Sequence, residues 1–198
     1  MEVVTEEFFS EFEALAIKLS MQWSIDDESR KIKTVIAVSK EGHCLNDLLY
    51  RARYRDMPIE IVGVVSNHEV YREIVEFSGI KFHHLPIEKS SESKKMQENE
   101  FRSVVASSDA ELVVLARYMQ ILSEDFVSHY PERVINIHHS FLPAFPGARP
   151  YHAAQERGVK IIGATSHYVT ADLDAGPIIE QDVARVNHRD TVDDMVRK

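Results

Sequence analysis

From Ile32 onward, short apolar runs alternate with amphipathic stretches, and this rhythm constrains the fold more than any other feature. Thr34–Val38, Ile59–Val65, Leu112–Ala116 and Val134–Ile137 are nearly unbroken runs of strand-forming apolar residues. Strands buried on both faces read this way, and such strands belong to parallel sheets. Helix-spaced residues separate them: Leu45, Leu48, Leu49 and Ala52, then Val70, Ile74 and Phe77. Further on come Phe101, Val104 and Val105, and then a short helix from a Ser123 cap to Tyr130 with Glu124 and Asp125 in its first turn. Asn67 is expected to cap the second of these helices, which stops before Gly79. Phe82–Ile87 reads as a shorter strand, and Glu88–Glu100 as an exposed Ser/Lys/Glu-rich stretch leading into a helix. The pattern predicts an α/β fold with a mostly parallel sheet, helices on both faces and right-handed crossovers. After a helix near Tyr151–Arg157, Ile161–Val169 and Ile178–Val186 form a C-terminal antiparallel hairpin joined by Thr170–Pro177.

The ends of the chain read differently. Phe8, Phe12, Leu15, Ala16 and Leu19 recur at helical spacing behind a Thr5 cap. Met21, Trp23 and Ile25 alternate as in a half-buried strand, and Asp26–Lys31 is a polar linker. One helix and one strand cannot bury both their faces. They read as the tail of another domain, a segment packed on another subunit, or an N-terminal extension. At the other end Thr191 caps a helix that has barely begun by Lys198, so a truncated C-terminus is expected.

Composition narrows the partners. The net charge of −9 and the absence of a basic block argue against nucleic acid, which is bound through clustered Lys and Arg. No apolar run approaches the roughly 18 residues of a membrane span, so no membrane partner is expected. The single cysteine, Cys44, and the acidic N-terminus fit a cytoplasmic protein. The turn after the first strand contains only Gly42 where a G-x-G-x-x-G dinucleotide fingerprint needs three glycines, which argues against a nicotinamide cofactor. Ten histidines show no H-E-x-x-H or H-x-x-x-H spacing, so no metal centre is expected.

Chemistry concentrates at Asn136-Ile137-His138-His139-Ser140-Phe141-Leu142-Pro143 and at Leu173-Asp174-Ala175-Gly176-Pro177. Residues two apart on a strand face one way, so Asn136 and His138 share a pocket and His139 turns away. An amide can donate to a carbonyl oxygen, an imidazole can move a proton near neutrality, and a carboxylate can fix the imidazole or take a proton from water. Spacing alone leaves open another reading, in which Asn136 ends a strand, His138 is a satisfied core residue and Asp174 forms a turn. Lys40 and His43 border the expected cleft, within reach of a ligand.

These motifs, with Ala116-Arg117-Tyr118-Met119-Gln120-Ile121-Leu122-Ser123, Gly163-Ala164-Thr165-Ser166-His167-Tyr168-Val169-Thr170 and Ser39-Lys40 with His43-Cys44-Leu45, resemble the folate-dependent formyltransferase family from about Lys31 to the end. The resemblance is nearest to its water-using, deformylase branch. It implies a Rossmann-like formyltransferase fold without a nucleotide cofactor. It implies hydrolysis of 10-formyltetrahydrofolate to formate and tetrahydrofolate, supplying formate for purine synthesis and balancing one-carbon pools. No cofactor is implied beyond the folate substrate, and a homo-oligomer is expected. Asn136 is then expected to polarise the formyl oxygen, His138 to stabilise or protonate the tetrahedral intermediate, and Asp174 to hold His138 and manage the water proton. Met119, Gln120, Ile121 and Leu122, with Thr170, Ala171, Asp172 and Leu173, are expected to embrace the pterin ring, and His167 to support the Asp174 loop. Residues 1–29 resemble the end of an ACT-type regulatory domain with its linker, and 30–198 the catalytic domain. The alternatives are formyl transfer to glycinamide ribonucleotide, whose phosphate the Glu41-bearing first turn is ill suited to cradle, and folate binding without catalysis.

Overall fold

A computed structural model of the chain describes residues 6–24, 30–55, 57–88, 90–147 and 149–198. The chain divides into two compact units, Met1–Arg30 and Lys31–Lys198.

In the first unit, α1 (Glu6–Lys18) is the expected helix. Thr5, its expected cap, lies outside the described residues, as does Ile25. Residues 21–24 are not a strand, contrary to expectation. Trp23 instead sets its ring edge-on to Phe12, with centroids 5.0 Å apart, and Phe12 stacks on Phe8. Aromatic contact with the helix takes the place of strand pairing.

The second unit is built on a seven-stranded sheet: β1 (Ile32–Val38), β2 (Ile59–Ser66), β3 (Phe82–His84), β4 (Leu112–Leu115), β5 (Val134–His138), β6 (Ile161–Tyr168) and β7 (Ile178–Arg185). Their order is β3-β2-β1-β4-β5-β6-β7. The first five run parallel, whereas β6 and β7 are antiparallel. The helices are α2 (His43–Tyr54), α3 (Arg72–Phe77), α4 (Ser91–Ser107), α5 (Glu124–Ser128), α6 (Pro150–Glu156) and α7 (Val192–Arg197).

Alternation along β1 divides the core. Val35 and Ala37 pack with Phe101, Val104 and Val105 of α4 and Phe126 of α5 on one face. Ile36 and Val38 pack with Leu45 and Leu49 of α2 and Val75 of α3 on the other. A third cluster, Phe145, Ala154, Ile162, Val186 and Met195, joins the hairpin to α6 and α7. Both faces of the central strands are therefore covered, which accounts for their continuous apolar runs.

Three local expectations change. Asn67 does not cap α3: its Oδ1 accepts from the Ser39 hydroxyl at 2.7 Å, and Tyr71 occupies the cap position. The strand β3 ends at His84 rather than Ile87, because β2 itself ends at Ser66, whose carbonyl takes the last ladder bond from Leu85 N–H. The polar stretch before Phe101 is itself helical from Ser91, with the Ser90 hydroxyl accepting from Ser93 N–H. Ser123 and Thr191 cap α5 and α7 as expected.

Candidate active site

The chain visits β1, β2 and β3 on one side and then returns to lay β4 and β5 on the other, so the sheet has a switch point between β1 and β4. Crevices beyond the carboxyl ends of strands at such a point are ligand sites. Ser39, just past β1, clamps the loop past β4. Its N–H donates to Arg117 O at 3.2 Å and its hydroxyl accepts from Met119 N–H at 3.1 Å. The adjoining cavity, about 260 Å³, is walled by residues 117–122, by Asn136–His139 with Gly147, and by His167 and Val169–Asp174.

Strand register places the polar groups. Asn136 and His138 lie two apart on β5, and Asn136 is paired with His167 on β6, so all three side chains share a face. The loop after β6 turns back and brings Asp174 to them. Asp174 adopts a left-handed backbone (φ 54°), which its short polar side chain tolerates better than most. Gly176 allows the turn: a Cβ there would stand 1.8 Å from Tyr168 O.

The result is a buried network. Asp174 Oδ2 lies 3.5 Å from His138 Nδ1 and accepts from Gly147 N–H at 2.9 Å, while Oδ1 lies 3.8 Å from His167 Nε2. Both imidazoles and the carboxylate are almost fully buried. His167 Nδ1 sits 2.9 Å from Tyr168 O, an acceptor, so Nδ1 carries the proton. In the neutral ring Nε2 then accepts from Asn136 Nδ2 at 3.2 Å. This chain of bonds fixes which way the Asn136 amide points and leaves its second N–H free. His138 Nε2 lies 3.1 Å from Phe145 O. With a carbonyl on one side and a carboxylate on the other, only the doubly protonated ring donates from both nitrogens. The 3.5 Å gap to Asp174 is wider than an ordinary hydrogen bond, so a substrate oxygen or water can compete for that position.

A family model described as formyl transferase matches residues 32–198. The chain belongs to the formyl transferase family. A formyltetrahydrofolate deformylase of Corynebacterium sp. (strain P-1) is 51% identical over 94% of this chain. The chain spans 65% of that relative, just under two thirds of its length. The crystal structure of a formyltetrahydrofolate deformylase from Pseudomonas syringae pv. tomato superposes with a TM-score of 0.88, at 48% identity, covering 97% of this chain and 64% of that one. A glycinamide ribonucleotide transformylase from Symbiobacterium toebii superposes at 0.79, with 30% identity, covering 88% of this chain and 83% of that one. The seven-stranded mixed sheet is thus a formyltransferase fold.

Within that fold, Asn136, His138, Asp174 and His167 converge as placed above. Met119, Gln120, Ile121 and Leu122 line one wall of the cavity, and Thr170, Ala171, Asp172 and Leu173 another. Lys40 and His43 do not line it. Both are exposed at the start of α2, where the Tyr71 ring fills the space a Gly42 side chain would take and Tyr71 donates to Lys40 O at 2.5 Å. His139, expected to turn away, lines the cavity because β5 ends at His138 and alternation ends with it. Burial, with Arg117 and His138 nearby, pushes the His139 pKa down to about 4, so its ring is neutral at physiological pH. Burial pushes the Cys44 thiol up, which suits a packed residue rather than a nucleophile. Arg117 and Gly147 also line the cavity; from the sequence Arg117 has a place only within the Ala116–Ser123 segment, with no role of its own, and Gly147 has none.

Among the described residues no helix is long and apolar enough to cross a membrane.

Proposed function

We propose that this protein hydrolyses 10-formyltetrahydrofolate to formate and tetrahydrofolate. One observation carries the reading: Asn136, His138 and Asp174 meet, with His167 behind them, at one end of a slot whose other walls are residues 119–122 and 170–173. The slot would take the pterin and the polar end the formyl group. Relatives near half identity that bear the deformylase name support the choice of water as acceptor over a ribonucleotide amine.

The free N–H of Asn136 donates to the formyl oxygen. Water beside Asp174 attacks the formyl carbon, and the carboxylate takes its proton as the new C–O bond forms. Negative charge on the oxygen is met by the Asn136 donor and by the His138 ring, whose Nε2 lies against Phe145 O and whose Nδ1 faces Asp174 at 3.5 Å. One oriented donor of this kind is worth about 10²–10³ in rate. The proton held by Asp174 passes to the folate nitrogen, the C–N bond breaks, and formic acid leaves and ionises. In this reading water is the second substrate, and no cofactor enters beyond the folate.

Formate release from 10-formyltetrahydrofolate, measured with and without glycinamide ribonucleotide, tests the proposal. Release at the same rate in both cases supports it. Formyl transfer that requires the amine and frees no formate overturns it.

A further inference from the structure

The cavity contains one positive charge that the steps above do not use. Arg117 lines it beside His138 and His139, yet its Nε and Nη1 are buried without a hydrogen-bond partner. Its charge reaches the Cys44 thiol, the His139 imidazole and the Tyr151 hydroxyl. None of these is an anion at neutral pH. Neither Nε nor Nη1 meets a carboxylate among the described residues. Its backbone is held in the left-handed region (φ 61°), which disfavours a side chain of this size. The Ser39 clamp on Arg117 O and Met119 N–H keeps it there.

A guanidinium whose buried donors are unmet is unfavourable unless something completes it, and strained backbones gather where a ligand does so. The completing group must carry negative charge and accept several hydrogen bonds. It must also be small, because the same cavity is to hold the folate. A planar one-carbon carboxylate meets all three requirements and suits guanidinium geometry.

We propose that Arg117 is the carboxylate subsite of this cavity and captures formate as it forms beside His138 and His139. The assignment rests on the hydrolytic reading for the origin of the formate, but the binding itself does not need turnover. No covalent step is added: formic acid gives its proton to solvent and the carboxylate pairs with the guanidinium. Formate is then an inhibitor that binds in the absence of folate.

The test follows the single C–H resonance of formate in proton NMR spectra with the purified protein. The wild type broadens it, and excess nitrate, a planar oxyanion of similar size, sharpens it again. Arg117→Gln weakens formate binding at least tenfold while its amide spectrum stays folded. Arg117→Lys keeps the charge but loses the planar fork, and binds several-fold more weakly than wild type. Asp174→Asn still binds formate. An adventitious small-anion effect would show as equal broadening in the wild type and Arg117→Gln, and that result overturns the assignment. So does a sharp resonance with the wild type. Should Arg117→Gln not fold, equal affinity in Arg117→Lys and wild type overturns it. The two proposals fail separately. Formate release without formate binding removes the subsite and leaves hydrolysis standing. Formate binding without release from the formyl folate removes hydrolysis, and the subsite stands as a small-oxyanion site.

Discussion

Replacing Asp174 with Asn changes one oxygen to nitrogen at the centre of the site. The side chain is 6% exposed and its volume is conserved, so packing survives. Gly147 N–H still requires an acceptor where Oδ2 now stands. The Asn oxygen fills that role and turns the new NH2 toward His167 Nε2, 3.8 Å from the present Oδ1, where it competes with Asn136. What is lost is the charge facing the His138 ring at 3.5 Å. Coulomb's law at that distance, with an effective dielectric of about 20, gives about 5 kcal/mol. The remaining amide dipole recovers part of this, leaving a loss of roughly 4 kcal/mol, about 10³-fold in kcat. The water also loses its proton acceptor, so this figure is a lower bound. Formate release by the purified variant reads kcat, and thermal unfolding reads the fold. A folded Asp174→Asn protein that keeps more than a tenth of wild-type kcat would refute the reasoning.

Three further outcomes follow from the same geometry. Ser39→Ala removes two hydrogen bonds, the one accepted from Met119 N–H and the one given to Asn67 Oδ1; urea unfolding should show a loss of about 1–3 kcal/mol, and the folate KM should rise as the 119–122 wall loosens. His139 is held neutral down to about pH 4 in the folded protein but titrates near 6.5 when unfolded. The unfolded chain therefore takes up a proton first, and stability falls as pH drops from about 6.5 toward 4; His139→Asn should flatten the dependence of Tm on pH in that window. Gly176→Ala forces a Cβ against Tyr168 O, and the loop that carries Asp174 must shift. Kinetics and thermal melts should show kcat and Tm falling together, although Gly176 does not itself line the cavity.

How much of this could be read from the chain depends on the kind of force involved. Strands β1, β2, β4 and β5 were legible because burial on both faces demands continuous apolar runs. Asn136 and His138 were legible because strand alternation is strict. The start of α4 was hidden because Gln97 and Glu98 are buried only through distant partners, the Tyr118 hydroxyl and Ser123. Trp23 was misread because two-residue alternation does not distinguish a strand from a coil laid on aromatic rings. His139 was misassigned because alternation cannot say where a strand stops. Arg117 stood within the Ala116–Ser123 motif without a role of its own: its significance is an unmet hydrogen-bonding requirement, visible only once its neighbours are known.

In the proposed reaction, water activated beside Asp174 attacks a formyl carbon held by Asn136 and His138. A single-turnover reaction of 10-formyltetrahydrofolate in ¹⁸O-water, with the released formate analysed by mass spectrometry, tests it most directly. Each formate is expected to carry one solvent oxygen and one original oxygen. Formate without solvent label, or consumption of the formyl folate with no formate released, would contradict it.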